Sequence, residues 1–365
     1  MELRVAITGL GAVTPGARSP EAVWRRLERP AAATQGPWPH RDWRGHFFDA
    51  EVTCSSIAAE AARQALGDRD GPPPWLIVGT CSADIRHPDP PWMRHEAGLP
   101  VEPGSVLWPE LPQQTTALVR RALGLRTPGW SVSTACTSGT VALATAAELV
   151  ASGQAPRALA VGADVIGRLT WFGFGAVGLQ SSGPCLPFDR GRTGLNLGEG
   201  AAALLLERPR DARARGVPIL GYVTGVGNAT DAYHLSAPDP AGAAAERALR
   251  QALGGQRPGW ANAHGTGTPL NDAMEATVLR RLDPGLPVTA SKGALGHTLG
   301  AAGTLEAVVT ALGLLREEIP PSRATPAPEF DLDLVTVTRR APVRSAVTLN
   351  LAFGGSNVAI LLEAP

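Results

Sequence analysis

Four short segments carry residue types that can do chemistry. In Val132-Ser133-Thr134-Ala135-Cys136-Thr137-Ser138-Gly139 a strand-like run passes into an alanine-rich helix, which sets Cys136 at or near a helix N-terminus. Free backbone N–H groups and the helix dipole there favour thiolate over thiol, and the same N–H groups can hold an oxyanion. A free cysteine is also commonly a small buried hydrophobe, so this segment alone leaves nucleophile and packing residue both open. In Asn262-Ala263-His264-Gly265-Thr266-Gly267-Thr268-Pro269, followed by Asn271, Asp272 and Glu275, His264 sits on a Gly/Thr loop after an apolar strand, poised rather than packed. A hydrogen-bonded loop histidine is the plainer alternative. In Ser291-Lys292-Gly293-Ala294-Leu295-Gly296-His297-Thr298 the glycines permit a sharp turn that would bring Lys292 and His297 together, ahead of a helix bearing Glu306. A solvated lysine and an incidental histidine are the alternative. In Asn350-Leu351-Ala352-Phe353-Gly354-Gly355-Ser356-Asn357 the paired glycines let backbone approach a ligand and supply an N–H donor, with Phe353 as a movable cover. Ordinary turn glycines beside a core phenylalanine would look the same.

The elements that must position these residues alternate. Strand-like runs at Val5–Thr8, Leu76–Val78, Ala158–Val161, Ala202–Leu206, Leu220–Val223, Val335–Thr338 and Val347–Leu351 interleave with helix-like runs at Ser55–Leu66, Gly139–Ala151, Ala243–Leu253, Asp272–Arg281 and Ala301–Arg316. Such alternation predicts an α/β layered fold with largely buried sheets. The run from Gly139 is alanine-rich nearly all round and is expected to be central. Thr8-Gly9-Leu10-Gly11-Ala12-Val13-Thr14 recurs as Thr224-Gly225-Val226-Gly227-Asn228-Ala229-Thr230, each copy on an apolar strand, as a duplicated fold would produce. The charged stretch from Glu207 to Gly216 fits the seam, giving halves 1–215 and 216–365. A dinucleotide-binding reading of Gly9 and Gly11 fails for want of the third glycine and an acidic partner. Arg29–Arg44 and the proline-rich His87–Pro112 read as loops, around an entrance.

Composition narrows the classes further. The 365 residues balance 33 basic against 33 acidic side chains, which removes a whole-chain attraction to nucleic acid or anionic membrane. A 44% hydrophobic share suffices for a sizeable core, and 42 Gly with 33 Pro imply many tight turns. Cys54, Cys81, Cys136 and Cys185 are scattered with no C-x-x-C pair, so neither a disulfide framework nor a zinc site is expected, and a reduced cytoplasm is. The opening MELRVAITGL reads as a strand rather than a signal peptide, and no apolar run reaches membrane-spanning length.

Cys136, His264, Lys292, His297 and Phe353, in this order and context, resemble the β-ketoacyl-acyl carrier protein synthase family, condensing enzymes of the thiolase superfamily. The resemblance extends from Arg4-Val5-Ala6-Ile7-Thr8-Gly9 through Pro187-Phe188-Asp189-Arg190-Gly191-Arg192, Gly198-Glu199-Gly200 and Asp231-Ala232-Tyr233-His234 to the last glycine loop. It is closest to elongating synthases with a Cys–His–His set. It implies a thiolase-like duplicated fold layered α-β-α-β-α, and a reaction in two steps. Cys136 would take an acyl chain from a carrier thioester. His264 and His297, kept neutral and in place by Lys292, would then donate hydrogen bonds to a malonyl thioester as it loses carbon dioxide. The oxyanion at the acyl carbonyl would rest on the N–H groups of Cys136 and Phe353, with Gly354 completing the gate. Glu306, Thr266 and Thr268 would form the supporting network, and Phe174 would line the acyl pocket. The resemblance further implies no metal or resident cofactor, the phosphopantetheine arriving on the acyl carrier protein. It also implies a homodimer, or a heterodimer with a ketosynthase-like chain, joined through the strand before Cys136.

The departures from the family pattern are specific. The chain is short around residues 30–115, and Asp49-Ala50-Glu51-Val52-Thr53 and Gly178 stand where basic residues usually meet the carrier, leaving Arg190 and Arg192 as substitutes. Leu351 replaces a second Phe beside the gate. These favour a specialised synthase of polyketide or polyene assembly over a housekeeping fatty-acid enzyme. Rival readings are a non-catalytic chain-length-setting partner, a thiol hydrolase, or an acyltransferase making esters or amides.

Overall fold

Long apolar strands with few charges build one mixed sheet whose two ends follow the same plan. The computed structural model describes residues 3–30, 32–35, 44–49, 52–67, 70–83, 112–322 and 325–365. Its main strands are β1 (Val5–Val13), β2 (Trp75–Gly79), β3 (Gly129–Val132), β4 (Arg157–Asp164), β5 (Gly200–Glu207), β6 (Gly221–Thr230), β7 (Trp260–Asn262), β8 (Pro287–Thr289), β9 (Asp333–Leu334), β10 (Ser345–Ala352) and β11 (Ser356–Glu363). They lie in the order β9-β8-β7-β10-β11-β6-β1-β5-β4-β2-β3. From the centre outward β1 pairs antiparallel with β5, β5 antiparallel with β4, and β4, β2 and β3 run parallel. On the other side β6 pairs antiparallel with β11, β11 antiparallel with β10, and β10, β7 and β8 run parallel. An antiparallel contact between β1 and β6 joins the two sets.

The repeated Thr-Gly-x-Gly motif has one packing cause in both places. A Cβ on Gly9 or Gly11 would fall 1.8 or 1.9 Å from the carbonyl oxygens of Ala65 and Ala61, on the Cys54–Leu66 helix. A Cβ on Gly225 or Gly227 would fall 1.8 Å from those of Ala252 and Ala248, on the Ala243–Leu253 helix. Backbone lies against backbone there, so only glycine fits. The Ala12 N–H bonds Gln64 Oε1 at 2.9 Å, and the matching Asn228 N–H bonds Gln251 Oε1 at 3.0 Å. Each strand also carries a register shift beside the motif's first threonine.

Between the halves run two helices, Ser138–Ala151 and Ala302–Arg316, apolar on nearly every face and packed on each other. Small residues allow the close approach: a Cβ on Gly303 would sit 1.8 Å from Thr140 Oγ1. The outer helices cover the far faces, giving five layers of helix and sheet. A short helix, Pro209–Ala214, links β5 to β6.

Several elements differ from the sequence expectation. Val335–Thr338 is not a strand: Val335 is buried, its N–H bonding Val288 O, but Val337 is 76% exposed and the chain turns away. The strand expected ahead of Cys136 is edge strand β3, whereas the return strand β11 and the Arg168–Ala176 helix have no counterpart among the expected elements. In the expected loop Arg29–Arg44, Thr34–Gln35 pairs with Arg44–His46, while residues 36–43 lie outside the described residues. Of His87–Pro112 only Pro112, which begins a helix, is described, and of the Asp49–Thr53 stretch residues 50 and 51 are not.

Candidate active site

The turn from β3 into the central helix sets Cys136. Ala135 is held at φ +54°, a left-handed conformation costing a non-glycine residue about 1–3 kcal/mol. Side chains over-determine the turn: Ser138 Oγ donates to Ala135 O at 2.5 Å and accepts from the Thr134 N–H at 2.9 Å, and Thr137 Oγ1 donates to Thr134 O at 2.7 Å. Thr137, the N-cap, makes no side-chain cap bond; the Ser138 N–H bonds Ala135 O at 3.1 Å, leaving those of Gly139 and Thr140 uncapped by it. Cys136 is 5% exposed, in an apolar cluster with Ile166, Trp171, Leu195, Leu197 and Leu299, to whose edge Phe47, Cys81 and Phe174 pack. Burial pushes its thiol up to about 12, against the pull of nearby Lys292, and Asp164 raises it further. The expectation of a resting thiolate is therefore corrected: desolvation outweighs the helix terminus, and the thiol is the ground state.

His264 follows β7 on a turn strapped by carboxylates of the Pro269–Leu282 helix. Glu275 accepts from the N–H groups of His264 (2.6 Å) and Gly265 (2.8 Å), and Asp272 from those of Thr266, Gly267 and Phe188. Burial raises both acids, Glu275 to about 8. Thr266 and Thr268 bond each other through their hydroxyls at 2.8 Å, and the Cys185 thiol donates to Thr266 O at 3.2 Å.

Lys292 opens a one-turn helix and places Nζ 2.6 Å from His264 O, 2.6 Å from Glu306 Oε1 and 3.2 Å from His264 Nδ1. An ammonium has three N–H donors and no acceptor, so His264 Nδ1 accepts and its proton lies on Nε2. His297 Nδ1 accepts from the Leu299 N–H at 3.1 Å, which puts that proton on Nε2 as well. The two rings stand 5.4 Å apart between centroids at 86°. Burial first, then the charge of Lys292, holds both imidazoles well below the usual histidine range. Two neutral Nε2–H donors result. Glu306 is fixed by Asn350 Nδ2 (2.9 Å) and Ser291 Oγ (3.3 Å), and burial raises its carboxyl.

The gate loop closes the mouth. Phe353 stacks on Phe174 at 5.6 Å and 18°, and Phe174 meets His297 edge-on at 6.5 Å. Among the described residues, no turn, loop or cap bond engages the N–H of Cys136 or of Phe353. The Gly354 N–H is bonded to Leu235 O at 2.8 Å, so Gly354 serves the gate through its φ of +79° and not as an oxyanion donor. Leu351 is 6% exposed in the core of the second half rather than at the gate. Arg192 is also corrected: it pairs with Glu329, bonds Asp189 O and Pro269 O, and covers the Phe330 ring, leaving its side chain 6% exposed. Arg190 is exposed, away from these bonds.

Sequence reasoning missed the struts. Buried Asp164 accepts from Thr80 Oγ1, the N–H groups of Cys81, Ser82 and Ala83, and that of Gly300, tying the loop after β2 to the His297 turn. Glu199 does the same for Phe48 and Ile166. Asp272 and Glu275, named with the His264 loop but given no role there, lie three residues apart at the start of a helix, and that spacing was the available signal for one.

A duplicated layered sheet with a cysteine at a strained strand-to-helix turn defines a thiolase-like protein. Residues 52–212 match the β-ketoacyl synthase N-terminal domain and residues 220–325 the C-terminal domain, and the chain belongs to the β-ketoacyl synthase family. It is 36% identical over 260 residues to 3-oxoacyl-[acyl-carrier-protein] synthase 2 of Vibrio harveyi, an alignment covering 66% of this chain and 63%, under two thirds, of that relative. Among solved structures, a β-ketoacyl synthase from Burkholderia phymatum STM815 superposes with a TM-score of 0.88 at 26% identity, and the ishigamide ketosynthase/chain length factor with 0.85 at 26%, each covering 100% of both chains.

Proposed function

We propose that the protein is an acyltransferase that condenses an acyl group on Cys136 with malonyl-acyl carrier protein, releasing carbon dioxide and a β-ketoacyl-acyl carrier protein. The observation carrying this reading is the pair of neutral imidazoles, 5.4 Å apart between ring centroids, whose Nδ1 atoms are both occupied by donors, which leaves an Nε2–H on each to donate. In the first step the Cys136 sulfur attacks a carrier thioester, the bond from the acyl carbon to the phosphopantetheine sulfur breaks, and the Cys136 proton passes to that departing thiolate. In the second, the two Nε2–H groups bind the malonyl thioester oxygen, and negative charge grows there as carbon dioxide leaves. The enolate carbon then attacks the acyl carbonyl, whose oxygen lies on the N–H groups of Cys136 and Phe353. Loss of one such donor costs on the order of 100- to 1,000-fold in rate. No resident cofactor or metal takes part, and phosphopantetheine enters with the carrier substrate.

The setting in this reading is cytoplasmic, and the product belongs to polyketide, polyene or fatty-acid-like synthesis. The Leu299–Arg316 segment is long and apolar enough to cross a membrane, but it is 89% buried within the fold. A second ketosynthase-like chain, identical or not, pairs along β3, which ends the sheet and keeps all four residues half-buried beside a single neighbour. Intact-mass analysis tests the whole: acyl-carrier protein alone should add one acyl group, which a C136A variant should not take. Malonyl-carrier protein should then remove it as β-ketoacyl product. Acyl-enzyme released as free acid would instead favour the hydrolase, and a chain that never acylates would favour the partner subunit.

A further inference from the structure

Resting on the condensing-enzyme reading, we propose that Trp171 forms the floor of the acyl pocket and restricts the group carried on Cys136 to short chains of acetyl or butyryl size. The sulfur has two kinds of surroundings. In one, His297 reaches it through Phe174, which packs on the Cys136 cluster and meets the His297 ring edge-on, and His264 stands beside His297. The reaction needs these polar donors for the extender thioester. The other is the apolar cluster of Ile166, Trp171, Leu195, Leu197 and Leu299, and an alkyl chain on the sulfur must enter it. Within the Arg168–Ala176 helix, Phe174 and Trp171 are three residues apart and so share a face. Phe174 lies at the mouth, between Phe353 and His297, while Trp171, one turn deeper, is 0% exposed.

The indole is not a loose plug. Phe47 packs edge-on against it with ring centroids 5.4 Å apart, and Gln180 Nε2 bonds the Trp171 carbonyl. The buried carboxylate of Glu199 holds the N–H of Phe48, next to Phe47, at 2.6 Å and that of Ile166, in the same cluster, at 2.8 Å. Adding methylenes to close-packed apolar space forces side chains off their rotamers, so a long chain meets a wall rather than a yielding surface.

The test measures acylation rates of Cys136 by intact mass, with acetyl, butyryl, octanoyl and decanoyl N-acetylcysteamine thioesters, so that carrier docking plays no part. Wild type should prefer acetyl or butyryl over octanoyl by about 100-fold or more, given what single methylenes are worth in apolar sites. W171A should raise the ratio of octanoyl to acetyl transfer at least about tenfold, with W171L shifting the ratio the same way. Wild type taking octanoyl as readily as acetyl would overturn the inference, as would an unchanged ratio in W171A. Should W171A fail to fold, an unchanged ratio in folded W171L would overturn it equally. Failure of every thioester to label wild-type Cys136 would remove the acyl-enzyme reading and this inference with it, whereas indiscriminate labelling would remove this inference alone.

Discussion

At Cys136 two physical effects oppose each other, and the structure decides between them. The uncapped N–H groups of the Ser138–Ala151 helix and the Lys292 charge favour a thiolate, while burial in a cluster of leucine, isoleucine and tryptophan favours the thiol, and burial is the larger. Position before a helix was legible in the sequence; the depth of burial depends on residues from Ile166 to Leu299, 30 to 163 positions away, and was not. Iodoacetamide labelling of Cys136 should therefore rise steadily from neutral into alkaline pH, and a rate already level below pH 7 would contradict the buried thiol. The histidines give a second test. A ring whose folded pKa is depressed lets the unfolded chain take a proton first, so stability falls as pH drops below 6.5 and stops falling once the folded ring titrates. H297N removes one such site. Relative to wild type it should gain about 1.4 kcal/mol per pH unit below 6.5 and show no pH-dependent difference above it, as read from urea unfolding across pH.

Elements show why some of the fold could be read early. The Thr-Gly-x-Gly echo was visible because strand and helix backbones touch at Gly9, Gly11, Gly225 and Gly227, a constraint that leaves one residue type possible. The short edge strand β3 carries Gly129, Trp130, Ser131 and Val132, none of them fully buried, so no strand period marks it. The roles of Asp164 and Glu199 were invisible for another reason: each satisfies backbone N–H groups far away in sequence, and nothing local announces such a partner. The glycine contacts predict an asymmetry of cost. G225A should destabilise by about 1–3 kcal/mol or more, because its methyl would lie 1.8 Å from Ala252 O. G173A, with nothing within 4 Å of its Cβ and a helical backbone, should be neutral or stabilising. Paired urea melts decide it, and equal effects would mean that the strand–helix contact is looser than described.

For the whole molecule, the question is whether the two halves are domains. Each has its own outer helices, but the central Ser138–Ala151 and Ala302–Arg316 helices pack on each other, and β1 pairs with β6 across the middle. One apolar cluster accordingly runs through both, from Val5 and Leu143 to Leu305 and Ile360. The site is split the same way, with Cys136 on the first half and His264, Lys292 and His297 on the second, and Asp164 of the first half bonds Gly300 of the second. Separating residues 1–215 from 216–365 would expose the buried faces of both central helices and leave Asp164 without one of its donors, so neither piece retains a core it can close. The chain should therefore unfold in one calorimetric transition, with van't Hoff and calorimetric enthalpies equal, and neither fragment expressed alone should give a cooperative melt. Two resolved transitions, or a fragment that folds by itself, would show that the halves are joined far more weakly than the shared core implies.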